Sequence, residues 1–372
     1  MSNINIKRFV DINIVKHATS SVNSLRDTVV LLSTESSTTS DSDVVYSSLA
    51  DFTSTQTIAS VPLTNKYLTI FFNNNGNKVR VIYGITKDKI ASTILTLPYE
   101  QIVVAYTGDY SDIKSVATTR ANNSNTTDVN FAHNNTYYYG VDQKILLGRT
   151  TSELIATDTD KIANFAVKVS SEVGAEMTIA AYLSNIIIYG SNTVSDYAFT
   201  TEVITAESNE DTVLGNVLQN NANVDMTLAN AIRNLGGNLK DGNDITNTFM
   251  LIVLHQTLTE RILNLLASKI KGEQGLAAIQ TVMADELSKY VTNGYLTTDE
   301  VWTDNDLTVT YNGQTYTVIS KNTALINGYY ISILPYTSLS TSDKAERKTP
   351  PIYVIVADSY GIRKITVNGE VI

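Results

Sequence analysis

The sequence predicts an α+β protein assembled from more than one unit, and three observations carry that expectation. Thr, Asn, Ser and Tyr are used heavily, with 21 Tyr against 8 Phe and 1 Trp. Thr and Tyr favour strands while Asn and Ser favour turns, so a β-rich chain is expected. Two stretches in the last third repeat apolar residues at spacings of three and four, the mark of amphipathic helices. Strand-like ends flank a middle of different charge and composition, and 372 residues suffice for about two or three ordinary domains.

Taken in order, Ile12 to Val15, Val29 to Ser33, Tyr67 to Phe72, Lys78 to Tyr83 and Ile102 to Tyr106 read as strands. The Asn-rich segment from Phe72 to Lys78 reads as a turn between two of them, with Gly76 able to take positive φ. Thr86 to Thr96 carries Ile90 and Ile94 four apart and fits a short helix in a β-helix-β unit. Residues 119–136 hold six Asn and little apolar content, so they read as a loop or exposed tip. Ile162 to Val169 and Ile186 to Tyr189 are further strand candidates. Gly236, Gly237 and Gly242 mark irregular turns.

From Thr248 onward, Leu251, Leu254, Leu258, Ile262 and Leu265 define an amphipathic helix that ends near Lys271–Gly272, where Lys269 and Lys271 suit the negative end of its dipole. Leu276, Ile279, Met283, Leu287 and Tyr290 define a second helix, stopped at Asn293–Gly294. Leu307, Val309 and Tyr311 then alternate, Asn312–Gly313 turns, and Tyr316 and Val318 alternate back, a strong hairpin signal. Tyr329 to Leu334, Ile352 to Ala357 and Ile362 to Val367 close the chain as strands. Two helices against a sheet are expected here.

Composition excludes several functions. Lys plus Arg is 27 and Asp plus Glu is 37, a formal net charge of −10, whereas a nucleic-acid binder presents a basic surface to phosphates. With no Cys there is no disulfide framework, thiolate metal site or Cys nucleophile. The longest apolar run, Phe249 to Leu254, is far short of a membrane span, and the first 20 residues lack a signal-peptide centre. His17, His133 and His255 are far apart. Asp299, Glu300, Asp304 and Asp306 lack the spacing of a calcium loop and read as a solvated turn. No phosphate-binding, dinucleotide or nucleophile-elbow motif occurs. Neither an enzyme, a cofactor nor a metal is expected, and neither is a membrane or nucleic-acid partner.

The last third also carries an ordered series of short motifs. These are Lys269–Ile270–Lys271 leading to Gly275, Gly294–Tyr295–Leu296 followed by Trp302, Gly328–Tyr329–Tyr330–Ile331, the run from Asp343 to Ile352, and Gly361–Ile362. This order resembles the C-terminal region of bacteriophage contractile tail sheath proteins, in a branch often annotated only as phage structural protein. Val10–Asp11–Ile12–Asn13–Ile14 followed by Asp51–Phe52 is similar as well. The resemblance implies a multi-domain, tail-sheath-like layout. Residues 1–30 would form an N-terminal arm and part of an inner domain, 246–372 the rest of that domain with a terminal strand arm, and 31–245 an inserted outer region, β-rich with α/β elements.

It further implies a homo-oligomeric helical sleeve around a tail tube protein, bounded by a baseplate and a tail terminator, located in the virion tail and assembled in the host cytoplasm. Contraction would drive the tube through a cell envelope. The alternative is another tail or injection-system component, a tube or baseplate protein. Candidate residues for strand exchange between subunits are Ile4, Ile6, Ile362, Ile365, Val367, Val371 and Ile372, since short terminal strands need a sheet to join. Candidates for contact with the tube are Lys269, Lys271, Lys344, Arg347 and Lys348.

Overall fold

The computed structural model describes residues 13–16, 29–90, 92–93, 101–105, 143–149, 165–170, 172–184, 197–207, 214, 217–219, 221–239, 242, 244–266, 272–357 and 359. Strand β1 (Asn13–Lys16) comes first and pairs far along the chain. The next eight strands form one sheet: β2 (Val29–Leu32), β3 (Asp43–Tyr46), β4 (Val79–Ile82), β5 (Gln101–Ala105), β6 (Gln143–Arg149), β7 (Phe165–Val169), β8 (Asn223–Leu228) and β9 (Ala231–Leu235), in the order β3-β4-β2-β5-β6-β7-β8-β9. The six inner strands are parallel, and β3 and β9 run antiparallel at the edges. All four residues of β2 are buried, which is why Val29–Leu32 is a continuous apolar run rather than an alternating one.

Helices α1 (Leu49–Thr55), α2 (Pro62–Asn73) and α3 (Met177–Ser184) accompany this sheet, with α2 against α3 and α3 against β5 and β6. The segment Tyr67 to Phe72, expected as a strand, is the C-terminal half of α2, so the Asn-rich turn after it joins a helix to β4. The reason lies upstream. Pro62 occupies the first helical turn, where its fixed φ and missing N–H cost nothing. Thr64, Tyr67, Leu68 and Phe71, at helical spacing, are the buried face. The helix start is capped from a distance: the Glu35 carboxylate accepts from the backbone N–H of Leu63 at 2.8 Å and of Thr64 at 2.7 Å, and from Thr64 Oγ1 at 2.7 Å. The segment Thr86 to Thr96, expected as a short helix, opens with a turn of 3-10 helix at Lys87–Lys89 and is α-helical at Ile90, Ser92 and Thr93, its positions 91 and 94–96 lying outside the described residues. Ile186 to Tyr189 and Ile362 to Val367 lie outside the described residues.

Gly236 and Gly237 take φ of 123° and 79° and lead from the sheet into the C-terminal unit. Helix α4 (Ile245–Leu266) begins three residues before the expected Thr248, and α5 (Gly272–Thr292) follows. Leu254, Leu258 and Ile262 of α4 and Leu276, Ile279, Met283, Leu287 and Tyr290 of α5 are buried in one continuous apolar cluster, each contributing about 1.5–3 kcal/mol by removal from water. After β10 (Glu300–Val301) comes the expected hairpin of β11 (Leu307–Tyr311) and β12 (Gln314–Ile319), turned by Asn312 and Gly313 at φ of 48° and 78°. Positive φ at both positions is what a type I′ turn requires. Strand β13 (Ala324–Leu325) pairs with β10, and β14 (Tyr329–Ile333), α6 (Thr341–Ala345) and β15 (Ile352–Val356) complete the described chain.

Candidate assembly surfaces

Strand β15 is the middle of a three-stranded sheet, antiparallel to β14 and parallel to β1. It is covered on both faces. Ile352, Val354 and Val356 join the large core that contains α4 and α5, whereas Ile355 and Ala357 join a smaller cluster with Trp302, Val318, Ile319 and Leu325. Double coverage explains the unbroken apolar run from Ile352 to Ala357. Its side chains are anchored in both cores and β14 takes one of its hydrogen-bonding edges, which leaves the opposite edge for another strand. Residues 13–16 take that edge, in register from Asn13 opposite Tyr353 to Lys16 opposite Val356. Among the described residues β1 and β14 are the outer strands of this sheet, and a strand edge presents a row of backbone donors and acceptors. The exchange candidates Ile4, Ile6, Ile362, Ile365, Val367, Val371 and Ile372 lie outside the described residues.

The basic turn after β14 is held by one acid. Ser340 and Asp343 form a reciprocal capping box at the start of α6. Asp343 Oδ2 also accepts from Ser340 Oγ at 2.7 Å and from Asn312 Nδ2 at 3.0 Å, and Lys348 Nζ reaches Oδ1 at 3.1 Å. The Ser340 and Asn312 hydrogen bonds and the Lys348 ammonium hold this carboxyl well below the usual carboxylate range. Lys348 also pairs with Glu346 at 2.8 Å, and the Lys344 ammonium sits 5.5 Å from the Tyr336 ring centre. Arg347 is exposed with φ of 59°. Of these three tube-contact candidates, Lys348 is thus tied to two carboxylates and Lys344 to an aromatic face. Lys269 and Lys271 lie outside the described residues.

A second charged cluster went unseen at the level of sequence. In the large sheet the Lys168 ammonium, fully buried, has four oxygens within hydrogen-bond distance of its three N–H donors: Asp225 Oδ1 at 2.7 Å, Glu202 Oε2 at 2.8 Å, and Asn234 Oδ1 and Tyr197 Oη at 3.0 Å. Burial, and then the charge of Glu202, push the Asp225 carboxyl well up despite the opposing lysine. Burial opposes ionisation of Glu202 too, but Lys168 and its hydrogen bonds hold that carboxyl below its usual range. Burial likewise raises the Tyr197 phenol. Among the described residues no group of His, Asp and Glu is arranged to hold a metal ion, and no helix is long and apolar enough to cross a membrane.

Residues 245–371 match the family model described as E217 tail sheath protein gp31-like, C-terminal domain. Solved structures share the fold over almost the whole chain. A chain in the anti-feeding prophage baseplate matches with a TM-score of 0.60 at 12% identity, covering 95% of this chain and 96% of that one. A chain of the sheath complex of an extracellular contractile injection system, PVC, in its contracted state matches with a TM-score of 0.57 at 11% identity, covering 100% and 98%. The sheath tail protein Lin1278 of Listeria innocua matches with a TM-score of 0.50 at 10% identity, covering 90% and 96%. No curated protein matches the chain.

Proposed function

We propose that this chain, which has the fold of contractile sheath proteins, is the structural subunit of a contractile tail or injection-system sheath. The observation that carries the reading is the sheath C-terminal-domain match over residues 245–371, which falls on α4, α5, the hairpin and strands β14 and β15. Copies polymerise as a helical sleeve around a tube, and shortening of the sleeve drives the tube through an envelope. The role is mechanical: work comes from an extended packing relaxing to a better-packed one.

Residues 1–30 with 246–372 form the inner domain, and 31–245 project as the outer one. The pairing of residues 13–16 with 352–356 supports this division. The described strands of the large sheet come from residues 29–235, so its strand β2 begins two residues before the boundary at residue 31. Subunits are linked by strands of the terminal arms, around Ile4 and Ile6 at one end and Ile362 to Ile372 at the other, added to the sheet of β15 in a neighbour. Each backbone hydrogen bond so made contributes about 1 kcal/mol. The tube is met by the basic positions Lys269, Lys271 and Arg347, with Lys344 and Lys348 beside them. Its baseplate end, a terminator at the other, and a place in the tail of a bacteriophage virion complete the proposal. A position within the baseplate is the second reading, favoured by the match to a chain in a baseplate structure.

Electron microscopy of the purified chain, alone and with tube, separates these readings. Sleeves of uniform width support the sheath, and rings confined to one end of a tube support the baseplate. Monodisperse particles that never associate, with or without tube, overturn both.

A further inference from the structure

The Lys168 cluster does more than neutralise charge. Lys168 stands on β7 and Asp225 on the adjoining strand β8, and Glu202 comes from the segment that runs beside β9. One ammonium faces two carboxyl groups, and Glu202 Oε1 and Asp225 Oδ2 are buried without a hydrogen-bond donor. A buried site tolerates neither an excess negative charge nor orphaned oxygens. One proton on the carboxyl pair removes both defects, and leaves a neutral acid, an ionised acid and an amine within contact of one another in a site closed to water. Asp225, pushed up by burial, is the group that keeps that proton.

We propose that Lys168 and Asp225 join in an intramolecular isopeptide bond, with Glu202 as the carboxylate that transfers the proton. Glu202 takes a proton from the Lys168 ammonium, leaving a free amine. The nitrogen lone pair attacks Cγ of Asp225 and a C–N bond forms. Glu202 passes that proton to the departing hydroxyl, the C–O bond breaks and one water leaves, and Glu202 then takes the second proton from the nitrogen, ending as a neutral acid beside a neutral amide. Nothing is oxidised or reduced, and no co-reactant is consumed. Fixed contact at 2.7 Å supplies the high effective concentration that such a condensation needs, and the dry interior favours loss of water. Asn234 is a rival acyl group at 3.0 Å, but it stands one strand further away on β9, and its amide nitrogen is engaged with the Tyr197 carbonyl at 3.3 Å.

The position of the link gives it a purpose. Strands β7 and β8 pair through only two residues, Lys168 opposite Asn223 and Val169 opposite Val224, the shortest pairing among the described strands of this sheet. A covalent tie across that seam resists shear where the backbone ladder is weakest. The bond is a property of the single chain, so its test is independent of whether the chain forms sleeves.

Intact mass spectrometry of the purified full-length chain should give a mass lower than the sequence by one water. A protease digest should contain one branched peptide joining the segments of Lys168 and Asp225. Glu202→Gln, which keeps side-chain size, should fold by circular dichroism yet retain the full mass and yield two separate peptides. Folded wild-type protein at full mass with the two segments unlinked overturns the proposal. Loss of one ammonia with a link to Asn234 overturns the assignment to Asp225, and a Glu202→Gln chain still lighter by one water overturns the role of Glu202.

Discussion

Asp343 joins α6, the Asn312 turn and Lys348 through one carboxylate, so its ionisation sets how firmly the basic turn is docked. A carboxyl held below its unfolded value contributes stability that is complete above about pH 4 and is withdrawn as acid protonates it. Asp343→Asn should therefore destabilise at pH 7 and make progressively less difference below about pH 4, which urea unfolding of both proteins at pH 7 and pH 3 will measure. A gap between wild type and variant that stays constant with pH contradicts the assignment. Glycines give a second residue-scale comparison. A Cβ on Gly328, at φ of 77°, would come within 2.8 Å of the Thr297 carbonyl oxygen, whereas one on Gly313, at φ of 78°, meets nothing within 4 Å. Gly313→Ala should cost about 1–2 kcal/mol for its left-handed backbone alone. Gly328→Ala should cost clearly more in the same thermal or urea measurement, because the backbone of β14 must also move.

At the scale of elements, α2 depends on a cap that is distant in sequence. Glu35 satisfies two backbone donors of the first turn and places negative charge at the helix N-terminus. Glu35→Ala should cost about 1–2 kcal/mol, read by urea denaturation, and Glu35→Gln should recover part of it. An unchanged midpoint for Glu35→Ala excludes the capping role. This helix also marks the limit of what the sequence discloses. Helices α4 and α5 and the Asn312–Gly313 hairpin were legible because each has one apolar face of constant period or a turn with a single backbone solution. Tyr67 to Phe72 is apolar and rich in aromatic and β-branched residues, so locally it reads as strand. The helical period emerges only when Pro62 and Thr64 are included, and the cap only when Glu35 is brought alongside by folding. The Lys168 cluster is less legible still, since its other members lie 29, 34, 57 and 66 positions from the lysine. No spacing rule links a lysine in an apolar run to acids that distant.

For the whole molecule the consequential feature is the exchangeable edge of β15. Its side chains are locked into two cores and β14 covers one edge, so β15 does not need β1 in order to stay folded. Strand β1 contributes four backbone pairings and comes from the chain end, the type of contact that a neighbouring copy supplies equally well. Deleting residues 1–16 should leave a folded subunit with nearly unchanged circular dichroism and a small loss of stability, because only a strand edge is uncovered. Deleting 362–372 should likewise spare the helix pair and the hairpin, whose described core residues pack on one another and on β15. Both truncations should abolish or severely weaken sleeve formation in sedimentation and electron microscopy, since each removes one partner of the proposed link between subunits. A synthetic peptide of residues 10–18 added to the 1–16 deletion should bind and block assembly with full-length chains by capping the vacated edge. If either truncation unfolds the subunit, the strand is an ordinary part of its core. If both fold and still assemble like the full chain, linkage through terminal strands is wrong, and cohesion of the sleeve must come from faces of the folded domains.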